Sequence, residues 1–111
     1  MANNMYAQQL NINSKPGQTE VAAKIAANAI KEASRQQGFR GGSVLANSET
    51  NHVQATTYWR TQTDMVSNER SNSNYQRQRR DLREVEQNEQ AETFEVKLDQ
   101  HLVLQRDFVV D

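Results

Sequence analysis

Apolar residues along this chain fall into short runs of changing period, and each change of period marks an element. From Met5 to Asn13 they alternate: Tyr6, Gln8, Leu10 and Ile12 share one parity, and Ala7, Gln9, Asn11 and Asn13 the other. Period two predicts a strand, here with a polar second face. Pro16-Gly17 suits a type II turn, with Pro setting φ at the first central position and Gly accepting a positive φ at the second. The period then lengthens. Ala22, Ile25, Ala26, Ala29, Ile30 and Ala33 recur at i, i+3, i+4 spacing, opposite Lys24, Asn28, Lys31 and Arg35. This predicts an amphipathic helix from Glu20 to about Gln36. Thr19 is its expected N-cap and Gly38 its expected left-handed C-cap.

After Gly41-Gly42, the segments Ser43 to Asn47 and His52 to Trp59 read as a hairpin across the polar turn Asn47-Ser48-Glu49-Thr50-Asn51. Thr63 is the expected cap of a second, short helix. Ser71-Asn72-Ser73-Asn74 interrupts it, because these side chains compete for local backbone hydrogen bonds. Tyr75 to about Gln90 reads as a charged helix, with i, i+4 pairs Arg77–Asp81 and Arg80–Glu84. Phe94, Val96 and Leu98 alternate as a fourth core strand. Leu102, Leu104, Phe108 and Val110 then share one parity in a tail suited to extending the edge of a partner's sheet.

A strand-helix-strand order that occurs twice predicts an α+β ferredoxin-like fold, a four-stranded antiparallel sheet with helices on one face. At 111 residues the chain is one expected domain, 1–111, with a core at about 5–97 and an extension at about 98–111. Composition bears on how that domain is completed. Only 35% of residues are hydrophobic and mean hydropathy is −0.95. Eleven Asn and thirteen Gln pull toward disorder, while a single Pro and a net charge of −1 oppose it. A small core of this kind calls for a second copy, so a homodimer is expected.

The same composition narrows the chemistry. With no cysteine there is no disulfide, thiolate ligand or cysteine nucleophile, and His52 and His101 alone do not make a metal site. No apolar run approaches the roughly 18 residues of a membrane span, and no leader is evident, so a cytoplasmic protein without a membrane partner is expected. Near-neutral charge argues against nucleic acid. Arg77-Gln78-Arg79-Arg80 is followed by Glu84, Glu86, Glu89 and Glu92, which offset it. Gly38-Phe39-Arg40-Gly41-Gly42 lacks the Lys-Ser/Thr sequel of a phosphate loop. What remains is Trp59, which shares a strand face with Val53, Ala55 and Thr57. Small residues beside a large ring, under an Ala-rich helix, leave room for a small aromatic ligand. A large ring can equally fill a small core.

Four features in series resemble the antibiotic biosynthesis monooxygenase family of the dimeric α/β-barrel type. They are the strand entering Ser14-Lys15-Pro16-Gly17, the Ala-rich helix, Gln37-Gly38-Phe39-Arg40-Gly41-Gly42, and the strand pair ending at Tyr58-Trp59-Arg60-Thr61. The resemblance spans about residues 5–97. It implies two copies paired sheet to sheet, with the polar parity Gln9, Asn11, His52, Gln54, Thr56 and Tyr58 inside the barrel. It also implies a pocket for planar aromatics lined by Trp59. The quinone-forming branch uses neither metal nor flavin, so no cofactor is expected, and it oxidises phenolic or quinol-type substrates with O₂. The candidate catalytic residues are then Trp59, Tyr75 and Asn11, with Leu10, Ala55, Thr57, Arg79 and Arg83 as substrate-binding candidates. A non-catalytic, small-ligand-binding or stress-related barrel is the alternative. The haem-degrading branch uses an Asn on the first strand and a His about ten residues beyond the Trp. Those positions are Leu10 and Glu69 here, which disfavours haem chemistry.

Overall fold

The two strands with the cleanest alternation are central. They are β1 (Tyr6–Ser14) and β3 (His52–Trp59), paired antiparallel from Tyr6↔Trp59 to Asn13↔His52. The strand β2 (Phe39–Asn47) flanks β3, and β4 (Glu86–Glu95) flanks β1, so the antiparallel sheet runs β2-β3-β1-β4. Three helices complete the fold: α1 (Thr19–Ala33), α2 (Gln62–Ser71) and α3 (Ser73–Arg83). This computed structural model describes residues 5–97. Leu98 and the expected tail strand at Leu102, Leu104, Phe108 and Val110 lie outside the described residues.

Packing follows parity. Leu10 and Ile12 of β1 join Val53 and Ala55 of β3 under Ala22 and Ala26 of α1 and Leu82 of α3. Ile12, Val53 and Ala22 are fully buried, and each larger side chain of this kind stabilises the fold by about 1.5–3 kcal/mol. A second cluster joins Ala29 and Ala33 to Trp59, Met65 and Tyr75. Gly42 is where β2 meets α1: a Cβ there would come within 2.9 Å of Ile30 Cγ2 and 3.0 Å of the Thr56 carbonyl oxygen. The ferredoxin-like fold expected from the element order is therefore the fold observed.

Several boundaries differ, each for a local reason. The helix α1 stops at Ala33, and Gly38 takes φ +85° in the turn before β2 rather than capping the helix. Thr19 is the first helical residue rather than the cap. Its buried hydroxyl bonds Ser14 Oγ at 2.9 Å and donates to Asn51 Oδ1 at 3.2 Å, pinning the β1–α1 turn to the β2–β3 hairpin. Thr61, not Thr63, caps α2, its hydroxyl accepting from Asp64 N at 3.1 Å.

The largest correction concerns the third helix. It ends at Arg83, and Glu86–Glu95 is an outer strand where a helix was expected to run on to Gln90. Phe94 is not in the core: it sits opposite Ala7 on the helix-free face and is 41% exposed. Neither expected i, i+4 ion pair forms. Arg77 instead donates to Asn74 Oδ1 at 2.6 Å, and Arg80 has no ion pair among the described residues.

The helix-free face is polar and internally bonded. Gln54 donates to Asn11 Oδ1 at 3.1 Å, Asn11 to Gln9 Oε1 at 3.4 Å, and Gln9 to Thr56 Oγ1 at 3.4 Å. Leu45, 60% exposed, and Phe94 sit toward its two margins. Among the described residues no helix is long and apolar enough to cross a membrane.

Candidate functional site

Between the helix-covered sheet face and α1 and α3 lies a narrow cavity of about 10 Å³, room for about one water. Its walls are Leu10 and Ala55 of the sheet, Ala26, Ala29 and Ile30 of α1, and Leu82 of α3. Gln8, Thr57, Tyr75 and Arg79 supply its polar atoms. Outside it, Tyr75 and Arg79 also line an open groove of about 280 Å³ with Glu69, Gln76, Arg80 and Arg83. Tyr75 and Arg79 therefore stand between an apolar interior and a basic exterior.

Local hydrogen bonds hold that threshold in place. Asn72, at the break between α2 and α3, is buried and uses its whole amide. Its Oδ1 accepts from Tyr75 N at 3.1 Å, capping α3, while Nδ2 donates to Asn68 Oδ1 at 2.9 Å and to the Glu32 carbonyl oxygen at 3.1 Å. Gln76 donates to the carbonyl oxygens of Glu69 and Arg70 at 2.9 and 3.0 Å, closing the end of α2. Tyr75 is thus fixed in direction by the residue that interrupts the helix.

Arg79 faces three ways. It donates to Tyr75 Oη at 3.3 Å and lies 5.9 Å from that ring's centroid. It also pairs with Glu89 Oε2 at 2.6 Å. Burial pushes the Tyr75 phenol up from its ordinary range, and the Arg79 charge and hydrogen bond pull it back only in part. Burial works against the Arg79 charge too, but Tyr75 and Glu89 outweigh it. Gln8 is also paired, donating to the Glu69 carboxylate across the cavity mouth.

Two carboxyl oxygens near Arg79, Glu86 Oε2 and Glu89 Oε1, are buried without a hydrogen-bond partner among the described residues. A proton shared between the two carboxyls would satisfy both. Glu86 is correspondingly pushed up to about 7, first by burial and then by Glu89, with Arg79 and Arg83 opposing. Between its ordinary value of 4.5 and about 7, the folded chain holds a proton that the unfolded chain has released. Stability should therefore fall as pH rises through that window and level off above it. Urea midpoints measured across the window should show this slope, and Glu86→Gln should flatten it. An unchanged slope in the variant would place the titrating group elsewhere.

Of the residues proposed from sequence, Leu10, Ala55, Thr57, Tyr75 and Arg79 meet around the cavity, and Arg83 lines the outer groove. Two do not. Asn11 lies on the helix-free face, opposite Gln54, with the whole sheet between it and the cavity. Trp59 is fully buried behind the cavity wall, packed edge-on against Phe39 with centroids 5.5 Å apart, its indole N–H donating to Thr57 Oγ1 at 2.9 Å. It shapes the site through Thr57, Ala29 and Tyr75 rather than by lining it.

Gln8, Glu69, Glu86 and Glu89 were not anticipated. A signal existed for Gln8, which shares its parity with Leu10 and Ile12, since a polar amide on an apolar face needs a buried partner. His52 lies on the helix-free face of β3, and Glu69 lines the outer groove.

Solved structures answer to this arrangement. A protein from Nitrosomonas europaea provisionally named an antibiotic biosynthesis monooxygenase superposes with a TM-score of 0.75 at 12% identity, over 86% of this chain and 93% of its own. One from Bordetella bronchiseptica with the same provisional name gives 0.72 at 18% identity, over 86% and 99%. This chain shares its ferredoxin-like fold with these solved structures. A conserved Bacteroides thetaiotaomicron protein, described as of unknown function and a possible oxidoreductase, matches equally well, at 0.75 and 14% identity over 86% and 100%. No protein-family model and no curated protein matches the sequence. On this fold, the cavity under α1 and α3 is the place where this chain's polar and apolar side chains converge.

Proposed function

We propose that this chain is a cofactor-independent monooxygenase acting on a phenolic or quinol-type aromatic in the cavity behind Tyr75 and Arg79. The observation that carries the reading is the Arg79 contact with Tyr75 Oη: a guanidinium at the cavity mouth already donates to a phenol oxygen. A substrate hydroxyl in the same place would be drawn toward its phenolate by the same charge. An electron-rich phenolate can then reduce O₂. The substrate carbon exchanges two hydrogens for one oxygen atom, and the second oxygen leaves as water. Glu69 at the mouth is a carboxylate able to accept the phenol proton, once Gln8 gives it up. In the described state the cavity admits about one water, so an aromatic ligand enters by displacing Tyr75 and Arg79 into the groove they also line.

The test is O₂ uptake with a panel of hydroxyanthrones and quinols, alongside quenching of the single Trp. Arg79→Gln should lower turnover roughly 100-fold, the loss typical of one oxyanion donor. Absence of uptake across the panel would overturn catalysis. Binding without uptake would establish the second reading, a non-catalytic ligand-binding module. One observation favours that alternative: all three neutral polar side chains in the cavity are already engaged, Gln8 with Glu69, Thr57 with Trp59 and Tyr75 with Arg79.

The same proposal includes a homodimer in which a second copy covers the helix-free face. Its bonded amides and the exposed Leu45 and Phe94 support this. Sedimentation at micromolar concentration should give twice the 12.7 kDa chain mass, and Thr56→Lys should return it to one. A wild-type monomer would remove the paired-barrel model.

A further inference from the structure

The groove outside the threshold has an unbalanced charge. Four ionisable side chains besides Tyr75 line it: Glu69, Arg79, Arg80 and Arg83. Two are committed elsewhere, Glu69 to Gln8 and Arg79 to Glu89. Arg80 and Arg83 are exposed on the last turn of α3, with no ion pair among the described residues. Arg83 acts at a distance on Glu86, lowering its pKa, but among the described residues no carboxylate reaches either guanidinium.

This matters because inner and outer spaces differ in character and share their dividing residues. The inner walls are Leu10, Ala26, Ala29, Ile30, Ala55 and Leu82, while the outer groove offers two unengaged cations. A ligand long enough to fill the cavity and reach past Tyr75 would end between Arg80 and Arg83. Guanidinium groups there favour a planar oxyanion, which they can bind through two parallel N–H donors.

We infer that the ligand of this site is an aromatic acid, its apolar rings in the cavity and a carboxylate in the outer groove between Arg80 and Arg83. The inference rests on the reading of the cavity as the ligand site. It narrows the substrate class from phenols in general to those carrying an acidic substituent at the end remote from the reacting ring.

A matched pair of probes separates the two ideas. Anthracene-9-carboxylate and 9-anthracenemethanol share one ring system and differ in charge, and both quench Trp59 emission by energy transfer. The carboxylate should bind about fivefold to tenfold tighter at low salt, the size of one or two rim contacts to a charge. Added salt should erode that difference as it screens the groove. The double variant Arg80→Gln/Arg83→Gln should abolish it without weakening the alcohol. Arg77→Gln removes the same charge from the same helix outside the groove and should change neither probe.

Ala55→Leu, which fills the cavity, should weaken both probes, with Ala29→Val as the milder variant if the first does not fold. Equal binding of the two probes, or a double variant that behaves as wild type, overturns the acid-binding inference while the cavity reading stands. Failure of both probes to bind, or indifference of both to the cavity-filling variants, removes the cavity reading and this inference with it.

Discussion

Trp59→Ala should cost the folded chain about 3–5 kcal/mol, the range for truncating a large aromatic in a packed core. The residue is fully buried and joins parts distant in sequence: Phe39 at the start of β2, Ala29 and Ala33 of α1, Met65 of α2 and Tyr75 of α3. Truncation would open a void bounded by all three helices and leave Thr57 Oγ1 without its indole donor. Since a domain's stability is only about 5–15 kcal/mol, this single change approaches global unfolding. Far-UV circular dichroism against urea is the appropriate measure, because the variant has no Trp to report. Trp59→Phe should keep most of the packing and lose far less. A Trp59→Ala midpoint close to wild type would contradict the packing role and return Trp59 to consideration as a ligand contact.

The second large effect is expected at Asn72. Its replacement by Ala removes the α3 cap, worth about 1 kcal/mol. It also strips the buried Asn68 Oδ1 of its donor and leaves the half-buried Glu32 carbonyl oxygen with only the longer bond from Arg35 N at 3.4 Å. A total loss of about 2–3 kcal/mol follows from these two effects together. Asn72→Asp separates them, because the carboxylate keeps the cap but cannot donate. It should therefore recover only part of the loss. The functional readout is separate from stability: with α3 uncapped, Tyr75 loses the contact that orients its backbone, so ligand affinity should fall at temperatures where the variant is still folded. Affinity unchanged in folded Asn72→Ala would show that Tyr75 is positioned by packing alone.

Why these effects were only partly visible in the sequence is a matter of which forces leave a periodic trace. The α1 stripe and the β3 alternation were legible because each buries one face against the core, and burial enforces apolar spacing. Residues on those faces, Leu10, Ala55 and Thr57, could be assigned by counting. Tyr75 and Arg79 stood out by chemical type. The strand β4 left no such trace: Glu86–Glu95 contains only Ala91 and Phe94 as apolar residues, and most of it faces solvent. Its charges continue those of α3 smoothly, so a helix was the natural reading. That one error hid Glu89, the partner of Arg79, and Glu86 beside it. Gln8 and Glu69 meet across 61 residues of chain, a contact no local pattern encodes. Asn11 was proposed on residue type although its parity already placed it on the other face.

The acidic outer strand has a consequence for how the protein behaves in bulk. An edge strand exposes unpaired backbone donors and acceptors, an invitation to add strands from other molecules. Along β4 a glutamate recurs at every third position, Glu86, Glu89, Glu92 and Glu95. The break in register between Asn13 and Ser14 leaves Glu86, Glu89 and Glu95 on the helix-covered face and Glu92 on the other, so acidic side chains lie on both faces. Two such edges approaching each other meet like charges across the ladder, which opposes growth into fibres. Protonation removes that guard. This sheet then has no barrier to edge-on stacking, so concentrated, acidified solutions of the protein should gel or form fibrils while neutral ones stay clear.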